Sequence, residues 1–408
     1  MVPDQQTDDQ PLSGIKVVEM ATLAMGPLAG QTLGDYGADV IKVESLAGDH
    51  FRFNGPSVSP DMGHTFLHLN RNKKSVSCDL KSAKGRELIL RLVKDADIFI
   101  SNTRPDAMVR LGLDYDSLRK ANPNLIYCAA YGFSEHGPYA GRPAADDTIQ
   151  AMAGVVDLQE RATGTASFVA SILADKAIGL TVVNAVLAAL VKRLRVGGGE
   201  AIEVPMFETM VAFLMPEHMA GQSFEPPRGK TGYARVINPN RRPFRTQDGL
   251  MCILPYTGDQ WLRFFEAIGR AELGENPEYS TPAGRSRNYD ALYAIIEEAA
   301  LTKTNAQWTD LLLEKDILFG EVNSVDQLFD DPHLRARKMF TVHAHPTEGD
   351  LRMIGFPVNT RSDTTRLRLL APRLGQHSVE VALGLGFSQA EVDTMLAEGI
   401  LKATDPQG

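Results

Sequence analysis

The stretch GIKVVEMATLAMGPLAGQTLGDYGADVIKVES, Gly14 to Ser45, decides the fold class. Its ends, IKVVEM (Ile15–Met20) and DVIKVE (Asp39–Glu44), are short apolar runs rich in β-branched residues, and each reads as a buried strand. Pro27–Tyr36, between them, reads as a helix, so the segment is a strand–helix–strand unit of about 30 residues. The pattern recurs downstream. SVSCDL (Ser75–Leu80) reads as a third strand, and a helix over Gly85–Val93 carries apolar residues at spacings of three and four. DIFIS (Asp97–Ser101) and LIYCAAYG (Leu125–Gly132) continue the alternation. An α/β fold follows, with a Rossmann-like parallel sheet covered on both faces. Gly26, Gly30 and Gly34 after the first strand do not have GxGxxG spacing, so a nicotinamide fingerprint is absent.

A long apolar helix is expected over Lys176–Val196, stopped by VGGGE and followed by a strand over Ala201–Phe207. Composition then changes. Residues 1–11 read as a disordered N-terminus and 12–220 as the large domain. The Pro-, Gly- and Arg-rich segment 221–248 reads as a linker, and 249–329 as a smaller α+β domain. That smaller domain opens with the strand GLMCILPYT (Gly249–Thr257), and residues 330–408 are its exit and the C-terminal part.

A net charge of −9 argues against nucleic-acid or membrane-surface partners, so an anionic ligand needs a local basic patch. Three cysteines (Cys78, Cys128, Cys252) lack metal or redox spacing, which points to a reducing compartment. The acidic start MVPDQQTDDQ is unlike a targeting peptide, and no apolar run reaches the roughly 20 residues of a membrane span. A soluble, cytoplasmic protein is the expectation. His343 and His345 alternate on an expected strand, but no third ligand is in register, so no metal site is expected. Arg241 and Arg242 in NPNRRPF read as surface residues.

Chemistry is expected at SILADKAIGL (Ser171–Leu180), where Asp175 stands alone among apolar residues. A carboxylate there needs a partner or a job. As structure alone, Asp175 reads as the N-cap of the following helix. Asp146 in AADDTIQAMAG reads, as structure alone, as a helix cap before TIQAMAG. Arg71, Lys73 and Lys74 in NRNKKS form a basic run, and Arg104 and Arg110 lie in SNTRPDAMVRLGL after the fourth strand. A loop beyond the carboxyl end of a parallel strand is where such sheets bind ligands.

The order of these segments resembles the class III CoA-transferases of the CaiB/BaiF type, from about Leu12 to about Leu401. The resemblance implies that Asp175 is a covalent nucleophile in acyl-CoA:carboxylate CoA transfer, with Asp146 assisting. It also implies CoA contacts at Thr22, Ala24, Arg71, Lys73, Lys74, Asn102, Thr103, Arg104, Ala107 and Arg110. CoA or acyl-CoA is then a substrate beside a carboxylic acid, with no tightly bound cofactor. The C-terminal part is expected to return to the large domain, and two chains to interlock as a homodimer. Departures from the family pattern are Thr22 and Ala24 where relatives often carry glutamine or histidine, and Ser45 where formyl-CoA transferase has an arginine. The glycine loop of that enzyme has no clear counterpart, and Arg228–Asn240 is the candidate replacement. Related α-methylacyl-CoA racemases place a histidine at the position of Ala145, which cannot shuttle a proton. Racemase chemistry is disfavoured, and a CoA-binding protein without turnover stays open.

Overall fold

A computed structural model describes residues 10–358 and 367–404. It divides into two compact units. The large unit comprises the described residues up to Ala153, Ala170–Phe213 and the described residues from Arg335 onward. The small unit comprises Gly154–Val169 and Leu214–Leu334. The expected disordered stretch 1–11 lies outside the described residues except for Gln10 and Pro11, which open a turn closed by the Ser13 N–H on the Gln10 carbonyl.

The large unit is built on a sheet of β1 (Lys16–Met20), β2 (Asp39–Glu44), β3 (Lys73–Cys78), β4 (Ile98–Ser101), β5 (Ile126–Tyr131) and β6 (Glu200–Pro205). Their spatial order is β3-β2-β1-β4-β5-β6, all parallel. The short strand Leu401–Lys402 adds antiparallel to the β3 edge. Five helices position the site: α1 (Met25–Asp35), α2 (Ala83–Lys94), α3 (Pro105–Leu111), α4 (Asp146–Met152) and α5 (Leu173–Val196). The apolar core on the α2 side gathers Val18, Val76, Leu88, Ile89, Phe99 and Leu118 with Phe387 and Val392 from the C-terminal part.

β3 starts at Lys73, two residues before the expected strand. A period-2 reading stops at the lysines, yet Lys73 is fully buried because Glu19 neutralises it at 2.7 Å. Glu19 also takes Lys42 at 3.0 Å, and Lys42 pairs with Asp49 at 2.9 Å. All four side chains are shielded from solvent. Gly30 of α1 makes room for this cluster, since a Cβ there would lie 1.9 Å from Glu19 Oε2. Burial works against the Lys42 ammonium, but Glu19, Asp49 and Glu44 outweigh it and raise its pKa. For Lys73 burial wins and lowers the pKa to about 8.

In the small unit, β7 (Phe244–Arg245), β8 (Leu250–Leu254) and β9 (Leu318–Glu321) form an antiparallel sheet. It is packed by α6 (Gly258–Ala267), α7 (Tyr289–Ala300) and α8 (Asn305–Glu314) around Phe264, Phe265, Leu292, Ile296 and Trp308. Segment 221–248, read as a linker from its composition, is part of this unit. Its backbone is largely irregular, but Asn238 and Asn240 anchor it by donating to Asp290 Oδ1 at 2.8 and 3.1 Å. Among the described residues, α5 alone is long and apolar enough to cross a membrane. It packs on α1, α4, β5 and β6, and Leu180, Val191, Leu194 and Val196 along it remain exposed.

Candidate active site

α5 begins three residues earlier than its apolar run suggests, so Asp175 sits in the first turn instead of capping it. The N-cap residue is Ile172, which has no side-chain acceptor. Asp146 supplies one from another helix: its Oδ1 accepts the Asp175 amide N–H at 2.9 Å. Asp146 is the buried first residue of α4, with Ala145 as N-cap. Gln150, one turn on, donates to Asp146 Oδ2 at 2.6 Å and to the Ser171 carbonyl at 3.1 Å. The two helix starts are thereby tied together, and the two carboxylates become neighbours. Burial, and then the charge of Asp146, push the Asp175 carboxyl up to about 6. At pH 7 it remains mostly ionised, and it is a stronger base than an ordinary aspartate.

The next layer is the β1–α1 loop. α1 leaves the carboxyl end of β1 and α5 feeds the amino end of β6, so both helices run against the strands and parallel to each other. They touch closely at Gly179, where a Cβ would stand 2.8 Å from the Met25 carbonyl oxygen. Asp175, one turn before Gly179, is therefore level with the loop preceding Met25. That loop is held at three successive residues. Lys42 Nζ donates to the Ala21 carbonyl at 2.7 Å. Asn102 accepts from the Thr22 N–H at 3.1 Å and donates to its carbonyl at 2.8 Å. Asp49 Oδ1 accepts the Leu23 N–H at 3.0 Å, holding a residue whose φ of +67° is unfavourable for leucine. Ala24, which follows, is buried.

Beyond Asn102, the carboxyl ends of β3 and β4 open on a cavity of about 510 Å³. Lys81, Ser82 and Arg86 at the start of α2 line one side, and Ala107 and Arg110 of α3 the other. Thr103 is set by its N–H bond to Ser101 Oγ, and the exposed Arg104 donates to the Gly141 carbonyl at 3.5 Å. Of the expected anion-binding residues, the structure brings Ala107 and Arg110 to this cavity. It takes the NRNKKS run elsewhere. Arg71 is buried and forked onto Asp35, Lys73 belongs to the Glu19 cluster, and Lys74 pairs with Glu380 at 2.7 Å. Lys73 and Lys74 start β3, at the end of the strand away from the cavity, and Arg71 precedes them. Lys81 and Arg86 were legible as the basic character of KSAKGRE at a strand–helix turn. Asp49 carried no local signal, because its partner Leu23 is 26 residues away. Among the described residues, no group of three His, Cys, Asp or Glu side chains converges on a metal-sized site.

The signature of CoA-transferase family III matches residues 12–378. The chain belongs to that family and is a CoA-transferase. It is 31% identical to the succinate–glutarate CoA-transferase of Agrobacterium fabrum, covering 93% of this chain and 96% of the relative. It is also 31% identical to the (R)-2-hydroxy-4-methylpentanoate CoA-transferase of Clostridioides difficile, over 94% and 97%. A crystal structure of a CaiB/BaiF family protein from Brucella suis superposes with a TM-score of 0.77 at 33% identity, covering 92% of this chain and 99% of that one. The clamped loop can be tested for a part in this chemistry. Replacing Asn102 with alanine removes both of its bonds to Thr22. A roughly tenfold rise in KM for acyl-CoA is expected in steady-state kinetics, with circular dichroism showing that the variant is folded. An unchanged KM would separate the loop from the substrate path.

Proposed function

We propose that the chain moves CoA from an acyl-CoA to a carboxylic acid through covalent intermediates on Asp175, in the cytoplasm. The observation that carries this reading is the half-buried Asp175 carboxyl, raised to about 6 beside Asp146 and level with the clamped loop. Lys81, Arg86 and Arg110 hold the phosphates of CoA in the 510 Å³ cavity. The Thr22–Ala24 loop and Asn102–Thr103 guide the thioester arm towards α5.

The steps balance without an added acid or oxidant. An Asp175 oxygen attacks the thioester carbonyl, the C–S bond breaks, and CoA leaves as thiolate with a mixed anhydride on Asp175. The thiolate attacks the aspartyl carbonyl and expels the donor acid, giving an aspartyl-CoA thioester. The acceptor carboxylate attacks that same carbonyl and releases the thiolate, leaving a second anhydride. Thiolate attack on the acceptor's carbonyl then yields the new acyl-CoA and free Asp175. Asp146 holds the first turn of α5 through the Asp175 N–H and raises the basicity of the nucleophile by its charge. The relatives named above act on different acids at equal identity, so identity does not select the acyl group.

Mass spectrometry after borohydride trapping tests the route. Incubation with a panel of acyl-CoAs, succinyl-CoA and 4-methylpentanoyl-CoA included, should leave Asp175 reduced to homoserine in the tryptic peptide 162–176. Turnover of a donor without that modification would overturn the covalent reading.

A further inference from the structure

The small unit contains a second cavity, of about 260 Å³, that the transfer chemistry above does not use. Its walls are aromatic: Trp261 of α6, Tyr289 and Tyr293 of α7, and Tyr256 at the end of the loop after β8. Two guanidiniums enter it, Arg235 and Arg285. Arg285 is only 9% exposed and is fixed from behind, its Nη1 donating to the Tyr279 and Ser280 carbonyls at 3.1 and 2.7 Å. Its guanidinium passes beside the Gly258 backbone, where a Cβ would lie 3.5 Å from Nη2. Arg235 lies over the Tyr256 ring, 5.1 Å from the centroid, and against the Tyr293 hydroxyl. Among the described residues, no carboxylate pairs with either arginine, whereas Arg242 nearby in sequence is matched by Glu297 at 2.8 Å.

Two convergent guanidiniums without a counter-ion, one of them buried, are unusual in a chain of net charge −9. Their planar forks match a carboxylate, and the surrounding rings match a flat apolar body. We infer that this cavity of the small unit is a binding site for a small organic carboxylate with a planar or aromatic body. Arg228–Asn240, read from sequence as a candidate cover, contributes Arg235 and Tyr233 to its wall.

Benzoate is the probe. Titration should change the emission of Trp261, isolated as the difference between the protein and its Trp261→Phe variant, and should saturate at millimolar concentration or below. The neutral isostere benzamide should bind at least about tenfold more weakly, because the charge-assisted bonds are lost. Arg235→Gln and Arg285→Lys should each weaken benzoate about tenfold or more, with the far-ultraviolet circular dichroism melt confirming that each variant is folded. Asp175→Ala should leave the titration unchanged, so failure here is distinguishable from failure of the covalent mechanism. Equal binding of benzoate and benzamide, undiminished binding in folded Arg235→Gln, or tighter binding of inorganic phosphate or adenosine 3′,5′-bisphosphate would each overturn the inference.

Discussion

Asp175→Ala should lower the CoA-transfer rate by about a thousandfold or more, with binding of CoA, measured by calorimetry, retained. In the proposed route the loss falls on kcat, because there the carboxylate oxygen breaks the thioester and no side chain of the described first turn replaces it. Lys176, next in sequence, is turned to Ser171 Oγ at 3.0 Å. The wild-type pH profile of kcat/KM should fall on its acid side with an apparent pKa near 6, where Asp175 takes up its proton. Asp146→Asn keeps an oxygen acceptor for the Asp175 N–H but removes the neighbouring charge, so it should move this limb to lower pH. An acid limb that stays in place would assign the titration to another group.

The same shift has a consequence for stability. The pKa of Asp175 is raised in the folded protein, so the protonated form favours folding below about pH 4. That contribution is lost as pH rises through about 6. At neutral pH the ionised carboxylate is a burden on the fold. Asp175→Asn should therefore be more stable than the wild type at pH 7, by roughly 1–3 kcal/mol, with the difference vanishing near pH 4. Thermal or urea denaturation at the two pH values measures it. A functional carboxylate kept at the expense of stability is a common trade in enzymes, and the proposed role of Asp175 would be an instance of it.

Lys42→Ala should destabilise the large unit by about 3–5 kcal/mol. Lys42 is fully buried between Glu19 and Asp49, and its ammonium also binds the Ala21 carbonyl. Without it, Lys73 alone must balance two buried carboxylates, and the Ala21–Leu23 loop loses a fixed point. Lys74→Ala is the control. Its pair with Glu380 is exposed to water on both sides, and such pairs contribute about 0–1 kcal/mol. Circular dichroism is the appropriate probe, because both tryptophans, Trp261 and Trp308, belong to the small unit. Equal effects of the two substitutions would show that the buried cluster does not carry the stability assigned to it.

The parallel sheet was legible because its strands are local events. IKVVEM, DVIKVE, DIFIS and LIYCAAYG each bury both faces and read as short apolar runs without help from the rest of the chain. The exception proves informative in physical terms: β3 hides its first residues behind Lys73, whose burial depends on Glu19 of another strand. Boundaries near the site moved for a similar reason. α5 starts at Leu173 because Asp146, 29 residues upstream, accepts the first-turn N–H that Ile172 cannot cap. The basic run NRNKKS was visible as charge, but charge in a sequence does not say which end of a strand it occupies.

By itself, then, the sequence determined the α/β class and the family, and it singled out Asp175 as the candidate carboxylate, since these depend on residue type and near-neighbour spacing. Tertiary structure decided that Asp146 caps α5, that Asp49, Lys42 and Asn102 clamp the β1–α1 loop, and that Lys81, Arg86 and Arg110 line the basic cavity in place of Arg71 and Lys73. Each of these depends on hydrogen bonds, ion pairs or packing between residues distant along the chain, and such contacts arise only when the sheet has brought its strand ends together.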